Sequence, residues 1–590
     1  MTGEEKARRA EKMFSALAEV RKPFESQIDE IIEYVQHSRR KISDKDARKG
    51  QKTGIKVYDG TAISALNLMT DGLCGYTASP SFHWYAYVLP GKWNVPRWSG
   101  MRAWTGKRMD EATEVKEWLR DSEDVTYAAF LRSNFYDCLP NFIRDGASIG
   151  TVTMWIEEDL VHDKIVFTVP HFREHYIAED AFGFVDTNYR VYKLTLAQLV
   201  EKFGWDTMNK IDPAFKSQHE SNPYAEKEII HAVYPRNTYN PERIDSKGFR
   251  FSSEWYLRSP SAQIDNKKMS FLSESGYEDK SFITWRWRKN ADETYGRSPA
   301  WDAYIEIMKA NQQGRSNLIA GQKMVEGPMI ATEDLRGKVQ SGPSGWTFVD
   351  VNVSPDRWPR PLNEKIQLPY AVELQERTDK IIREYFHVDF FLMLYRASFE
   401  KVELTATQVV GMQAEQAAIL GTRIGTLPSE AYNPIHDRVF FIEQRAGRIP
   451  QPPDILLEYV EQQARGGKGV KLEIDYLGPL AQAQKRLFRQ QTLNAGVEYL
   501  TRMAQVAPEI LDRVNLDQAA VEGLDALSWP ANCLNDDETV ETIRKLRQQE
   551  RERERAIEGI GELSKATRPL GKAAEPGSLL ESIKEGMAEA

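Results

Sequence analysis

Residues 298–324 read SPAWDAYIEIMKANQQGRSNLIAGQKM, and residues 369–387 read PYAVELQERTDKIIREYFH. Ser298 followed by Pro299 is a helix start, a serine at the cap and a proline in the first turn, where its missing N–H costs nothing. The first stretch predicts a helix of roughly 40 Å at 1.5 Å per residue. Its middle, Asn311 to Asn317, is polar nearly all round and lacks a core face, so it needs a partner other than its own domain core. Gly314 and Gly321 are expected to let a neighbouring chain come close. Between the two helices lie short strand-like pieces rich in proline and glycine: GPMIA (327–331), GWTFVDV (345–351) and DRWPRPLNEKIQL (356–368). A small β module held between two long helices is the feature on which the fold reading turns.

On the C-terminal side, Asp389 to Tyr395 contains the apolar run Phe390–Tyr395, followed by a charged stretch to Leu404. The run reads either as a buried strand or as a loop closing onto a channel or a neighbouring subunit. Thr405 and Gln408 have capping-box spacing. They open a helical region to Gly447 that Gly411, Gly421, Gly425, Pro428 and Pro434 should bend. Residues 448–590 read as mostly helical, with one strand at 470–476, a charge-dense helix around 536–560 and a flexible tail. On the N-terminal side, residues 4–37 predict an amphipathic helix with Ala10, Phe14, Leu17, Phe24, Ile28, Ile31 and Val35 on one face, kinked at Pro23. A second helix is expected to start at the cap Asp59 and close at Gly75. A strand follows at 82–89, then two helical pieces over 107–149 divided near Ser133. Between 151 and 290 the period changes to that of strands: 151–157, 164–169, 184–193, 228–234, 251–257 and 282–287, with a helix at 195–204. The fold class is α+β, mainly α.

The chain has 590 residues, 41% hydrophobic and 28% charged, a composition that supports a sizeable core in about four modules. Its net charge of −9 argues against a simple DNA-binding domain, which usually carries a basic excess. It does not argue against a channel through which DNA must slide without sticking. Cys74, Cys138 and Cys533 offer neither a disulfide framework nor a zinc spacing, so a reduced, intracellular assembly site is expected. The charged N-terminus has no apolar signal core, and no run of about 18 apolar residues is present.

Three patterns carry possible chemistry. There is no phosphate-cradling loop: Arg465-Gly-Gly-Lys-Gly469 lacks the required spacing and hydroxyl, which argues against a packaging ATPase. His171-Phe-Arg-Glu-His175 matches a metallopeptidase pattern in which two histidines one helical turn apart share a zinc face. Pro170 and the strands on either side argue against that helix, and the other histidines offer no obvious third ligand. His171, Glu174 and His175 are therefore read as surface or turn residues, with a metal-dependent hydrolase as the alternative. Trp285-Arg-Trp-Arg-Lys289 interleaves basic and aromatic residues as nucleic-acid binders do, and reads more simply as a half-buried strand with its charged face in water. The mixed run 544–555 reads as a solvated helix face.

Four segments in order resemble the podovirus-type bacteriophage head-to-tail connectors, or portal proteins: SALNLMTDGLCGYTASP (64–80, with Phe82 and Trp84 after it), YGRSPA (295–300), LTATQV (404–409) and LEIDYLGPLA (472–481). Together they span about residues 10 to 550. The resemblance implies a wing over 1–297 and 405–447, stem helices at 298–324 and 369–388, and a clip at 325–368. It also implies a tunnel loop at 389–404 and a crown at 448–570, with a flexible tail at 571–590. Ser298 stands where the family often has glycine, and serves the same helix start.

The resemblance further implies a non-enzymatic ring, typically of twelve subunits, at one capsid vertex of the virion, assembled in the bacterial cytoplasm without a cofactor. It would package, retain and eject double-stranded DNA. It would dock terminase and then tail adaptor or nozzle proteins, and work with capsid and scaffolding proteins. On that plan Arg396 and Lys401 in the tunnel loop, and Lys309, Arg315, Lys323, Arg377, Lys380 and Arg383 on the stem, are expected near DNA. Phe390, Phe391, Leu392, Met393 and Leu394 are expected to pack against adjacent subunits. Trp346, Phe348 and Trp358 are expected to form the clip's docking surface. A tail tube or adaptor protein is the rival structural reading, but such proteins are usually much shorter and lack the paired helices.

Overall fold

Thr2 starts the first helix with a reciprocal cap: its hydroxyl accepts the Glu5 N–H, and the Glu5 carboxylate accepts the Thr2 N–H. This helix, α1 (Gly3–Val35), runs through Pro23 as one element. The computed structural model describes residues 2–39, 56–89, 113–240, 245–258, 269–325, 368–391, 426–454, 456–457, 472–477 and 542–553, with short pieces at 329–330 and 360–361 and a few isolated positions. The chain forms two compact units, Met1–Gln484 and Lys485–Ala590.

In the first unit, α1 is followed by α2 (Thr61–Thr77), β1 (Tyr85–Val88), α3 (Thr113–Arg132) and α4 (Phe135–Ile149). The Asp59 carboxylate accepts the Thr61 N–H, but the cap position itself is Gly60. The helix also continues past Gly75 to Thr77, because a glycine inside a well-packed helix costs only about 1 kcal/mol. Then come β2 (Thr151–Asp159), β3 (Lys164–Thr168), β4 (His175–Glu179), β5 (Val185–Thr195), α5 (Leu196–Ile211) and α6 (Phe215–Ser221). They are followed by β6 (Glu226–Pro235), β7 (Phe251–Arg258), β8 (Met269–Tyr277) and β9 (Phe282–Arg286).

The strands form two antiparallel sheets, one ordered β3-β2-β9 and one ordered β4-β5-β6-β7-β8. Alternation along β5 sends Tyr189 and Val191 to one face. There, with Ile230, Ala232 and Tyr256, they bury Ala7, Ala10, Phe14 and Leu17 of α1. Across the same sheet, Ile229, Trp255 and Leu257 pack on Leu196 and Leu199 of α5 and on Phe215. The second half of α1 turns Ile28, Ile31, Ile32 and Val35 into the main core with α2, α4 and the three-stranded sheet. Each buried aliphatic side chain of this kind contributes about 1.5–3 kcal/mol. One helix thus ties the sheet region to the helical region.

A single helical turn (Pro299–Asp302) leads into α7 (Tyr304–Val325), and α8 (Leu368–Tyr385) returns beside it. Between them Met329–Ile330 (β10) and Arg360–Pro361 (β11) pair antiparallel, a short piece of the expected β insert. Further on, Leu427–Tyr432 is a π-helix, in which the Asn433 N–H donates to Pro428 O five residues back. α9 (Asn433–Arg445) follows directly, and β12 (Glu473–Tyr476) pairs with β1. The expected strand at 470–476 therefore belongs with the first unit. In the second unit, residues 542–553 form a helix that is exposed along its length apart from the half-buried Ile543. Among the described residues, no helix is long and apolar enough to cross a membrane.

Candidate functional site

The pair α7 and α8 stands on a rigid root. Ser298 Oγ accepts the Trp301 N–H at 3.3 Å and donates to Ser148 O at 2.6 Å, while Trp301 Nε1 donates to Ile149 O at 2.9 Å. The predicted serine cap is present, and it also binds the end of α4. Gly150 makes this junction possible. Its φ of +95° is the left-handed region, and a Cβ there would lie 2.5 Å from Gly296 O. Near the root Ile307, Ala310, Thr378, Ile382 and Phe386 are buried.

Farther out, polar contacts replace the core. Asn311 accepts the Tyr58 N–H at 2.7 Å and donates to Lys56 O at 3.1 Å. Asn317 Nδ2 donates to Gln375 Oε1 at 2.6 Å, and Gln375 donates to Asp59 Oδ2 at 3.2 Å. The polar middle of the helix is thus satisfied partly inside its own chain. Gly314 admits the chain's own Tyr58, whose carbonyl oxygen would lie 2.9 Å from an added Cβ, whereas Gly321 faces open space. The expectation that both glycines serve a neighbouring chain is corrected at Gly314.

The outer faces of the pair are wet, basic and partly apolar. Lys309, Arg315, Lys323, Arg377, Lys380 and Arg383 are all exposed. Lys309 pairs with Glu306 at 3.2 Å, and the Arg315 guanidinium lies 5.9 Å from the Tyr58 ring centre. Exposed among them are Ile305 (75%), Leu318, Ile319, Met324, Val325 (85%), Tyr370, Val372 and Leu374. That much aliphatic surface on two adjacent helices is what an interaction face presents.

At the end of α8 the chain reverses at His387, whose φ is +52°. Residues 388–391 then form a helical turn rather than the beginning of a strand. Phe390 and Phe391 are half-buried against Tyr76 of the same chain, with ring centres 5.7 and 6.0 Å away. The Phe391 ring occupies the space a side chain at Gly72 would need. Leu392, Met393, Leu394, Arg396 and Lys401, and likewise Trp346, Phe348 and Trp358, lie outside the described residues.

The metallopeptidase pattern does not form a metal face. Phe172–Glu174 is one 3-10 turn and His175 begins β4, so the histidines are not a helical turn apart on one helix. They are buried rather than at the surface. Burial, with Arg39, Arg173 and Arg21 nearby, pushes His171 down to about 3, and burial beside Arg190 does the same for His175. Glu174 is bound by Arg190 at 3.0 Å. Among the described residues, no group of three or more His, Cys, Asp or Glu is placed to hold a metal.

The Trp285–Lys289 stretch is a structural junction: Arg288 is exposed as expected, but Arg286 is buried and Lys289 half-buried. Trp285, Arg286 and Trp287 are buried. The Arg286 side chain donates to both oxygens of Glu430 (2.7 and 3.3 Å), to Glu179, and to Gly183 O at 3.0 Å. Its backbone N–H also reaches Glu430, at 2.9 Å. Lys289 pairs with Glu179 at 2.7 Å, and Thr426 receives the Trp285 indole N–H at 3.1 Å. Half-buried Lys280, held down to about 8 by burial, donates to Val185 O. This junction fastens the π-helix to both sheets. The tryptophans around Arg286 were its only sequence signal.

Residues 7–534 match the family model described as bacteriophage head to tail connecting protein. The chain is similar to the portal protein of Salmonella phage epsilon15, 27% identical over 515 residues that cover 86% of this chain and 85% of the relative. It is also similar to the probable portal protein of Bordetella phage BPP-1, 25% identical over 528 residues that cover 88% and 87% of the two chains.

Proposed function

The chain belongs to the bacteriophage head-to-tail connecting proteins, and from that footing we propose that it is a phage portal: a non-enzymatic ring through which DNA is packaged, retained and ejected at one capsid vertex. The observation that carries the reading is the paired α7 and α8, rooted in a rigid core and presenting apolar and basic side chains together on their outer faces. Neighbouring copies would cover the apolar part. On this reading 1–297 with 405–447 is the wing, α7 and α8 are the stem, 325–368 is the clip, 389–404 is the tunnel loop and 448–570 is the crown.

The partners follow from the same reading: terminase, then tail adaptors, at the clip through Trp346, Phe348 and Trp358; capsid and scaffolding proteins around the wing; and DNA in the channel. Twelve copies at −9 would carry about −108, an acidic wall that repels phosphate and keeps DNA sliding. Against that wall, Arg396 and Lys401 would form a sparse, salt-screened ring of positive charge. Particles assembled with Arg396→Ser and Lys401→Ser are expected to package DNA but to retain less of it in filled heads, measured as DNA per purified particle after a salt challenge. Normal retention in intact particles would remove these two residues from the DNA path.

A further inference from the structure

Past the end of α8 the chain is fixed at three places in succession. Ile382, Phe386 and Val388 are buried in the main core. His387 reverses the chain with a φ of +52°, and the Phe390 N–H closes the turn on His387 O at 3.1 Å. Phe390 and Phe391 then lie on α2, with their own ring centres 4.8 Å apart and edge to face, and both rings meet Tyr76. The seat for this pair is Gly72, one turn before Tyr76 on the same side of α2. The three atoms nearest to an added Cβ there all belong to the Phe391 ring, and all lie far inside van der Waals distance. Gly75, three positions on, gives the contrast: an added Cβ would meet nothing within 4 Å. Glycine is a poor helix former, and at position 72 its missing side chain is what leaves room for the ring.

Phe391 is followed directly by the rest of the proposed tunnel loop. Arg396 is five residues further on, so the chain holds it within about 17 Å of Phe391. Without the seat, the nearest buried residue is Val388, and three more residues add about 10 Å of slack. That is about one screening length at physiological salt, enough to take a weak grip off a phosphate. Resting on the reading of 389–404 as the tunnel loop, we propose that Gly72 is a positioning residue for the DNA path: it seats Phe391 on α2 and so fixes where the loop leaves the folded body. A methyl group at 72 would turn the ring out. The ring stands at the start of a loop, so it can swing away without disturbing the core face of α2, where Leu66, Met69, Thr70 and Leu73 are buried.

Two readouts test this on the full-length protein: hydrogen exchange of the 386–391 amides, and DNA per purified particle after a salt challenge. Gly72→Ala should speed exchange across the turn about tenfold and lower retained DNA to the level of the Arg396→Ser, Lys401→Ser particles. Phe391→Ala removes the ring without touching α2 and should do the same, which keeps the test decisive if Gly72→Ala fails to assemble. Adding Phe391→Leu to Gly72→Ala restores roughly the original volume and should recover both slow exchange and DNA. Gly75→Ala should match the unmodified chain in both. Unchanged exchange in Phe391→Ala, or DNA loss in Gly75→Ala as well, would overturn the seat. Fast exchange with normal retention, where the Arg396→Ser, Lys401→Ser particles do lose DNA, would show that the seat does not set the DNA path, and the tunnel-loop reading would stand. If those particles also keep their DNA, the tunnel-loop reading fails and the proposal with it.

Discussion

Lowering the pH from 7 to 4.5 is expected to unfold the first unit. Four histidines sit in its core as neutral groups. Burial holds His171, His175 and His436 down to about 3, and His231 lies well below its ordinary value, with Lys202 and Arg190 adding to the effect. In the unfolded chain each titrates near 6.5. A group that must stay neutral when folded contributes full stability above 6.5 and loses it as pH falls toward the folded value, because only the unfolded state takes the proton. Each such proton is worth about 1.4 kcal/mol per pH unit below that point. Buried Asp145 acts in the opposite sense. Burial raises its carboxyl to about 6 despite Arg39, so the folded state holds that proton between 6 and 4. The net loss is about 4 kcal/mol per pH unit in this window, large against a total stability of roughly 5–15 kcal/mol.

Urea midpoints read by circular dichroism at pH 7.5, 6.0 and 5.0 should therefore fall steeply, and a flat series would contradict the assignment. His436 provides an internal check. Neither of its ring nitrogens has a hydrogen-bond partner, and it packs among Trp84, Tyr85 and Phe130. His436→Phe should leave stability at pH 7.5 within about 1.5 kcal/mol and make the acid slope shallower by one proton.

Arg286→Met is expected to destabilise the first unit by about 3 kcal/mol, the cost of leaving the half-buried Glu430 carboxylate without its cation while Glu179 keeps Lys289. The guanidinium is 3% exposed and meets Glu179 and Glu430 at 18% and 17%. A methionine fills the space but neutralises neither acid, and it strips Gly183 O of its donor. Adding Glu430→Gln removes the stranded charge and should recover part of the loss, since the two sites are directly coupled. A single variant within 1 kcal/mol of the unmodified chain in urea unfolding at pH 7.5 would show that the junction bears no such load.

The long elements were legible because their pattern is local. The stripe Ala10, Phe14, Leu17, Ile28, Ile31 and Val35 fixed α1 and its buried face, and Ser298-Pro299 fixed the start of the turn into α7. Strands β4 and β8 were not found. β4 is five residues long and lies under the H-x-x-E-H pattern, and the MSFLSESGY of β8 replaces half its apolar alternation with serine and glycine. Contacts between distant segments were hidden for a different reason. Nothing near Arg286 in sequence announces Glu430, 144 residues away, and nothing near Gly72 announces Phe391. The candidate site was legible as composition, six basic residues on two helices that are all exposed. Which of those faces meets DNA and which meets a neighbour depends on assembly, and a single chain's pattern carries no mark of it.

A portal subunit of this kind should close into a ring around an open axis. Electron microscopy of the purified full-length protein, with class averages viewed down the symmetry axis, tests it most directly. Closed rings with a central hole are expected and, in side view, a narrow collar where α7 and α8 lie. Monomers at every concentration, or open filaments without a closed axis, would contradict it.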